Sequence, residues 1–354
     1  MLTTCRSNCF WKCVTSGCAI AFCALLLALP WLESPDCLTF SPSQTSLLQC
    51  PAFETPSTSI VIHFRLAKAA WIMADWQNAE YTLYSSPFSL YSMMARHTIQ
   101  LGPTTHDATP PKSITLHFIN HKAHENLTED YLINVNPRGQ VPAMKGNLLK
   151  ETLTESRAIS LHLAEKHYPA MLGGKNESIV RDLFERLHAV YGLSISNPKP
   201  TTEMTERNPS PVEKMLQRTD ISPEYRAALE AKLAFHNRHN AIAFQPGVVA
   251  KHRADLKTIF EQVVDHRKRS GSYEDHDQWT FGPDIGPTII DSHLLPFTLR
   301  CLEVGSDDLV PLELQNWAKA KEKSPSWQKV MHGKPTTYHP SMGPVAEMSE
   351  MMTL

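Results

Sequence analysis

The stretch Asn136-Pro137-Arg138-Gly139-Gln140-Val141-Pro142 decides how the chain is read. Two prolines and a glycine this close together do not belong inside a helix or a paired strand, so the segment is a turn, and Ala143-Met144 directly behind it opens a strand. Upstream, Glu80 to Ser85 (EYTLYS) and Ser113 to Ile119 (SITLHFI) carry the β-branched and aromatic content of strands. Between them Leu90, Met93, Met94, His97 and Leu101 recur at three- and four-residue spacing, which predicts a helix that Gly102-Pro103 stops. A Pro-punctuated loop, Thr104 to Lys112, joins that helix to the second strand, and a short helix from Leu127 to Asn134 leads into the turn. Downstream, Leu148 to Thr152 is expected as a further strand and Glu155 to His167 as an amphipathic helix closed by Tyr168-Pro169. The order βαβαββα predicts a small α/β domain over residues 77–172 with a mixed four-stranded sheet.

Behind Gly173-Gly174 the pattern changes. Ser178 to Leu193, Pro223 to Asn240 and Val248 to Ser270 show helical periodicity, with a polar, Pro-rich connection from Ile195 to Pro211. Thr288-Ile289-Ile290-Asp291 has capping-box spacing: the threonine hydroxyl caps the first turn while the aspartate reaches back to the cap's own amide. It opens an apolar helix through Glu303 that contains Pro296. Residues 176–335 therefore read as an all-helical domain. Residues 336–354, with Pro340, Pro344 and the methionines Met348, Met351 and Met352, read as a flexible tail.

Lys and Arg number 34 against 36 Asp and Glu, a formal charge of −2 over 354 residues, which excludes a general electrostatic grip on nucleic acid or anionic membranes. Cys5, Cys9, Cys13, Cys18, Cys23, Cys37 and Cys50 crowd the start, and Cys301 stands alone behind them. A body with one thiol forms no internal disulfide and suits a reducing compartment, so a cytoplasmic location is expected. Residues 13–32 (CVTSGCAIAFCALLLALPWL) are uncharged and mostly apolar like a signal or anchor, and Ser34 to Ser59 reads as linker. Residues 1–72 are thus expected to be either an upstream extension foreign to the folded body, which has its own methionine at Met73, or a membrane anchor through residues 13–32.

The turn at 136–142, the dipeptide Glu155-Ser156 opening the following helix, and the capping motif inside a helical C-terminal region together resemble the cytosolic glutathione transferases, and most nearly their fungal members. The resemblance covers about Tyr81 to Trp327. It implies a thioredoxin-like N-terminal domain followed by a helical bundle, a homodimer, and glutathione as co-substrate with a small hydrophobic electrophile. It also implies a cis Val141-Pro142 bond that turns the Val141 main chain outward to pair with glutathione like an added strand, with Gln140 orienting that backbone. Ser156, the helix amides and the positive end of the helix dipole would receive the γ-glutamyl carboxylate, and Glu155 its amine.

The thiol of glutathione must be ionised, and lowering a thiol pKa by about two units requires about 2.7 kcal/mol of thiolate stabilisation. In the family a Tyr, Ser or Cys at the join of the first strand and helix does this. Here that join, Tyr84 to Ser92, holds no cysteine, which favours transferase chemistry over thiol reduction. Counting from the strand tyrosine selects Ser89 and matching an S-P-F motif selects Ser86, with Ser85, Tyr91 and Ser92 as further alternatives; each is equally a turn or cap hydroxyl. The co-substrate is expected against Tyr91 and Met94 of the first helix and Leu187, Val190 and Tyr191 of the second domain. His97, His106, His117, His121 and His124 lack ligand spacing, and no metal is expected. His124 and Asn126 stand where the family places a polar group against the glycine carboxylate. His236, His239 and Arg267-Lys268-Arg269 read as solvent-facing or helix-end residues.

Overall fold

The computed structural model describes residues 76–353. The expected extension at 1–72, its anchor-like run included, lies outside the described residues.

Strand β1 (Glu80–Ser85) is the middle of the sheet. It pairs in parallel with β2 (Ser113–Phe118), Glu80 opposite Ser113, and antiparallel with β3 (Ala143–Gly146), Tyr81 opposite Gly146. Parallel strands need a crossover, and α1 (Leu90–Leu101) supplies it, continuing into a 3-10 turn at Gly102–Thr104 where a stop is expected. Helix α2 (Glu129–Asn134) leads to β3, and α3 (Ser156–Lys166) follows it.

The expected fourth strand is absent as a strand. Residues 147–148 form a turn and 149–152 are bend or irregular, and Met144 and Leu153 make an isolated antiparallel bridge. The sheet is three-stranded, because Gly146-Asn147 turns the chain before a ladder can extend. The thioredoxin-like arrangement otherwise stands.

Alternation on β1 divides its side chains between two cores. Tyr81 and Leu83 are buried in the cluster that holds Met93 and Met94 of α1 and Ile159 and Leu163 of α3. On the other face Tyr84 packs on Ile119, Tyr131, Val135, Val141 and Ala143. Val141 is thus anchored by its side chain under α2 while lying outside the β3 ladder.

The helical region runs through α4 (Glu177–Ala189), α5 (Gly192–Ser196), α6 (Thr202–Glu206), α7 (Val212–Met215), α8 (Pro223–His239), α9 (Pro246–Arg269), α10 (Ile289–Glu303), α11 (Leu312–Lys321) and α12 (Pro325–Met331). The expected helix 178–193 is broken because Val190 is extended. The break is held by Tyr91, whose hydroxyl accepts the Gly192 N–H at 3.0 Å. A Cβ at residue 192 would lie 3.0 Å from that oxygen, so glycine is what permits the approach.

Helix α10 is buried from Ile289 to Cys301 and contains Pro296. Its capping box is formed: Asp291 accepts from the Thr288 amide at 2.9 Å and hydroxyl at 2.6 Å, and also from the Thr280 amide at 3.0 Å and hydroxyl at 2.6 Å. Four donors on one buried carboxylate join the loop at 280 to the helix start.

Two further expectations are overturned. Arg267 is fully buried, ion-paired to Glu313 and donating to the carbonyls of Ser272, Gln278 and Asp275, so it joins α9 to α11 and the following loop instead of capping an exposed end. The C-terminal segment is packed, not loose: Val345–Met352 forms a 3-10 segment that buries Val345, Met348, Met351 and Met352. Its methionines fill apolar space, and the buried Arg96 holds it by donating to the Met351 carbonyl at 2.9 Å.

Candidate functional site

The turn 136–142 is built by side chains on every side. Asn136, fully buried, accepts from the Arg138 amide at 2.9 Å and donates to the Gln140 carbonyl at 2.9 Å. Tyr131 donates its hydroxyl to the same carbonyl at 2.8 Å, and Asn126 donates to the Gly139 carbonyl at 2.8 Å. Gly139 sits at φ 56°, where a Cβ would meet the Asn126 carbonyl at 3.1 Å and Leu127 at 3.0 Å. The Val141–Pro142 bond is cis. Asn136, Tyr131 and Asn126, not Gln140, orient this backbone. Asn136 stood in plain sight in the motif, but Tyr131 carries no signal until the fold places it.

Beyond β3, Glu155 is the N-cap of α3 with extended backbone, and Ser156, almost fully buried, takes the first helical position. The Glu155 carboxylate is ion-paired with Arg138 across the gap, so the two halves of the motif are tied together.

A cavity of about 560 Å³ opens between these elements and the helical region. Gln140, Val141, Pro142, Glu155 and Ser156 all line it. Tyr91, His188, Tyr191 and Leu193 line it too, as do Ser210, Lys232, Phe235, His236 and His239. His121, His124 and Asn126 complete this lining, although Asn126 is occupied by Gly139. Met94, Leu187 and Val190, expected to face a co-substrate, are buried in the core instead.

Ser86 and Ser89 are not among the lining residues. Ser89 caps α1 by accepting the Ser92 amide at 3.3 Å, while Ser86 is buried and its amide donates to the Ser92 hydroxyl at 3.3 Å. Helix α1 itself, α10 and the C-terminal segment seal this corner. Arg96 donates to the Pro87 carbonyl at 2.7 Å and Arg300 to the Phe88 carbonyl at 3.0 Å, and Phe88 packs on Tyr338 with ring centroids 5.5 Å apart. Of the alternatives at this join, Ser85 and Ser92 are fully buried and only Tyr91 reaches the cavity. Its hydroxyl donates to Val190 and accepts from Gly192, and burial raises its pKa.

A polar chain leaves the cavity behind Tyr91. His188 Nε2 meets His293 Nδ1 at 2.9 Å, His293 Nε2 meets the Ser160 hydroxyl at 2.8 Å, and Ser160 meets Thr98 at 2.9 Å. Desolvation pushes His188 down to about 3, helped by Arg157, and His293 lower than its ordinary value as well, so both imidazoles are neutral near pH 7. Nothing in the sequence pairs positions 188 and 293.

The far wall comes from α8. Tyr225 donates to the Leu127 carbonyl at 2.6 Å, and Leu229 joins Leu127 and Leu132 in a small core, which seats α8 on α2. Lys232 and His236, on the helix read as solvent-facing, are buried as a result. Among the described residues no group of His, Cys, Asp and Glu could hold a metal ion, and no helix is long and apolar enough to cross a membrane.

Residues 112–165 match the family model of the glutathione S-transferase N-terminal domain. Among curated proteins the chain has no match. Among solved structures it is similar to glutathione transferase F7 from Populus trichocarpa at 17% identity, covering 73% of this chain and 100% of that one with a TM-score of 0.43. It is also similar to the nitrogen regulation fragment of the yeast prion protein Ure2p at 18% identity, 72% and 96% coverage and a TM-score of 0.41. A third likeness is a diazinon-metabolizing glutathione S-transferase of the silkworm, Bombyx mori, at 17%, 71% and 96%, with a TM-score of 0.41. Likenesses this loose carry no argument about the site. The family-model match spans β2, the turn at 136–142, β3 and most of α3, so the segment that builds one side of the cavity is similar to the N-terminal domain of glutathione S-transferases.

Proposed function

We propose that the chain binds glutathione in this cavity and transfers it to a small hydrophobic electrophile. The observation that carries the reading is the convergence of Gln140, Val141, Pro142, Glu155 and Ser156 on one cavity with an open helix N-terminus at its edge. The Val141 main chain, outside the ladder, pairs with the cysteinyl unit. Ser156 and the first amides of α3 receive the γ-glutamyl carboxylate. Glu155 takes the ammonium, sharing its carboxylate with Arg138. The thiolate then attacks an electrophilic carbon: a C–S bond forms, the leaving group departs with its electron pair, and the thiol proton goes to solvent. Tyr91, Tyr191 and Leu193 supply an apolar side for that partner. Catalysis is then positioning plus thiolate stabilisation. The proposal includes a homodimer in the cytoplasm.

A second reading, a glutathione-binding protein of this fold without turnover, is favoured by one observation: Ser86 and Ser89, the expected thiol activators, do not line the cavity. Turnover separates the two. The full chain is mixed with glutathione and a chromogenic aryl halide, with Ser156→Ala alongside. Conjugation above the uncatalysed rate that falls about tenfold or more in kcat/KM for Ser156→Ala supports the transferase; glutathione binding without conjugation supports the second reading.

A further inference from the structure

The cations that line the cavity are not equivalent. Arg138 is neutralised by Glu155. His236 has Nε2 committed to the Asn208 carbonyl at 2.6 Å, and burial holds His121 down at about 4, uncharged at neutral pH. Lys232 is different: it is 6% exposed, lines the cavity, and has no carboxylate partner among the described residues. Its ammonium donates to the Arg138 carbonyl at 2.5 Å and lies 5.4 Å from the centre of the Phe235 ring, which leaves donors free. A buried ammonium whose neighbours are a neutral carbonyl and a ring carries a desolvation cost that an anion in the cavity would relieve.

We propose that Lys232 is a carboxylate-receiving residue, contributed by helix α8 of the helical region, and that it holds a ligand carboxylate beside the turn at 136–142. This rests on the proposed glutathione site for one of the two carboxylates that could fill it, the glycyl carboxylate of glutathione; the other is a carboxylate on the co-substrate. The geometry is robust because α8 is seated by Tyr225 and Leu229 upon α2, so Lys232 is held against the turn at 136–142. Arg138 and Glu155 face it from that turn and α3, His121 and His124 from the loop after β2, and His236 and His239 from its own helix, with Glu129 bonded to Ser222 at that helix's start. Desolvation sets Lys232 at about 8, so an anion bound beside it draws a proton onto it near that pH.

Calorimetric titration of the full chain at about pH 8, in two buffers of different ionisation enthalpy, tests this with four probes: glutathione, glutathione carrying an ethyl ester on its glycyl carboxylate, benzoate and benzamide. Lys232→Met is run in parallel. If glutathione binds with proton uptake and about ten- to a hundredfold more tightly than its ester, and the difference disappears in Lys232→Met, the glycyl carboxylate is the occupant. If glutathione and ester bind alike but benzoate exceeds benzamide, again only in the wild type, the co-substrate supplies the carboxylate. If neither preference depends on Lys232, or neither pair shows proton uptake in the wild type, the proposal is overturned. The wild-type comparison of acid with ester stands even if Lys232→Met does not fold. If glutathione does not bind at all, the proposed function falls, and the benzoate pair alone decides the role of Lys232.

Discussion

Two strand-to-helix joins of the same small domain face opposite fates. At the first, Ser85 to Leu90 between β1 and α1, other parts of the chain close over the join: Arg96 of α1 takes the Pro87 carbonyl, Arg300 of α10 takes that of Phe88, and Tyr338 of the C-terminal segment packs on Phe88. At the second, between β3 and α3, Glu155 and Ser156 stay at the edge of a cavity, opposite a turn that Asn136, Tyr131 and Asn126 hold rigid. Both joins are rich in hydroxyl and carbonyl groups. What separates them is what the rest of the chain lays upon them, and the comparison teaches that a polar corner becomes a site only where nothing else satisfies its backbone.

The hardest way to break this contrast is to unseal the first join. Arg96→Met removes donors to the Pro87, Val330 and Met351 carbonyls at once. The loss is partly offset because Arg96 is a buried cation that desolvation lowers to about 9. We expect about 3 kcal/mol of destabilisation, read as a lower urea midpoint, together with protease cleavage after about residue 335.

A second test uses pH. Folded, His97 and His188 stay neutral down to about 3 and His293 is shifted the same way, whereas unfolded they titrate near 6.5. The unfolded chain therefore binds more protons between pH 6.5 and about 3, and stability falls as pH drops through that window. Thermal melts from about pH 7 to about pH 4.5 should show a steadily falling Tm, with a shallower slope in His188→Gln.

At the second join, Gly139→Ala forces a Cβ into a left-handed position against Leu127 and Asn126. About 1–2 kcal/mol of stability should be lost, with weaker glutathione binding because the turn is displaced. The smallest effect sharpens the contrast: Ser89→Ala should cost about 1 kcal/mol as a lost cap and leave glutathione affinity unchanged. Affinity that drops with Ser89→Ala would mean that the first join reaches the ligand after all.

Much of this was legible in the sequence because it is local. Strand β1, helix α1, the capping box at Thr288 and Asp291, and the turn at 136–142 are written in spacing and in turn chemistry. The missed features are long-range. Leu148 to Thr152 has strand composition, but the turn at Gly146-Asn147 leaves it a single bridge. Met348, Met351 and Met352 look like a tail until Arg96, far upstream, is seen to hold the Met351 carbonyl. Lys232 and His236 sit among polar and charged side chains on their helix, and only the seating of α8 on α2 buries them. The pair His188 and His293 has no sequence signature at all.

The most direct test of the central claim is a calorimetric titration of glutathione into the full chain, Ser156→Ala and Ser89→Ala. Saturable binding that weakens about tenfold in Ser156→Ala and is unchanged in Ser89→Ala is the predicted result. Binding that is indifferent to Ser156, or absent from the wild type, would contradict the account.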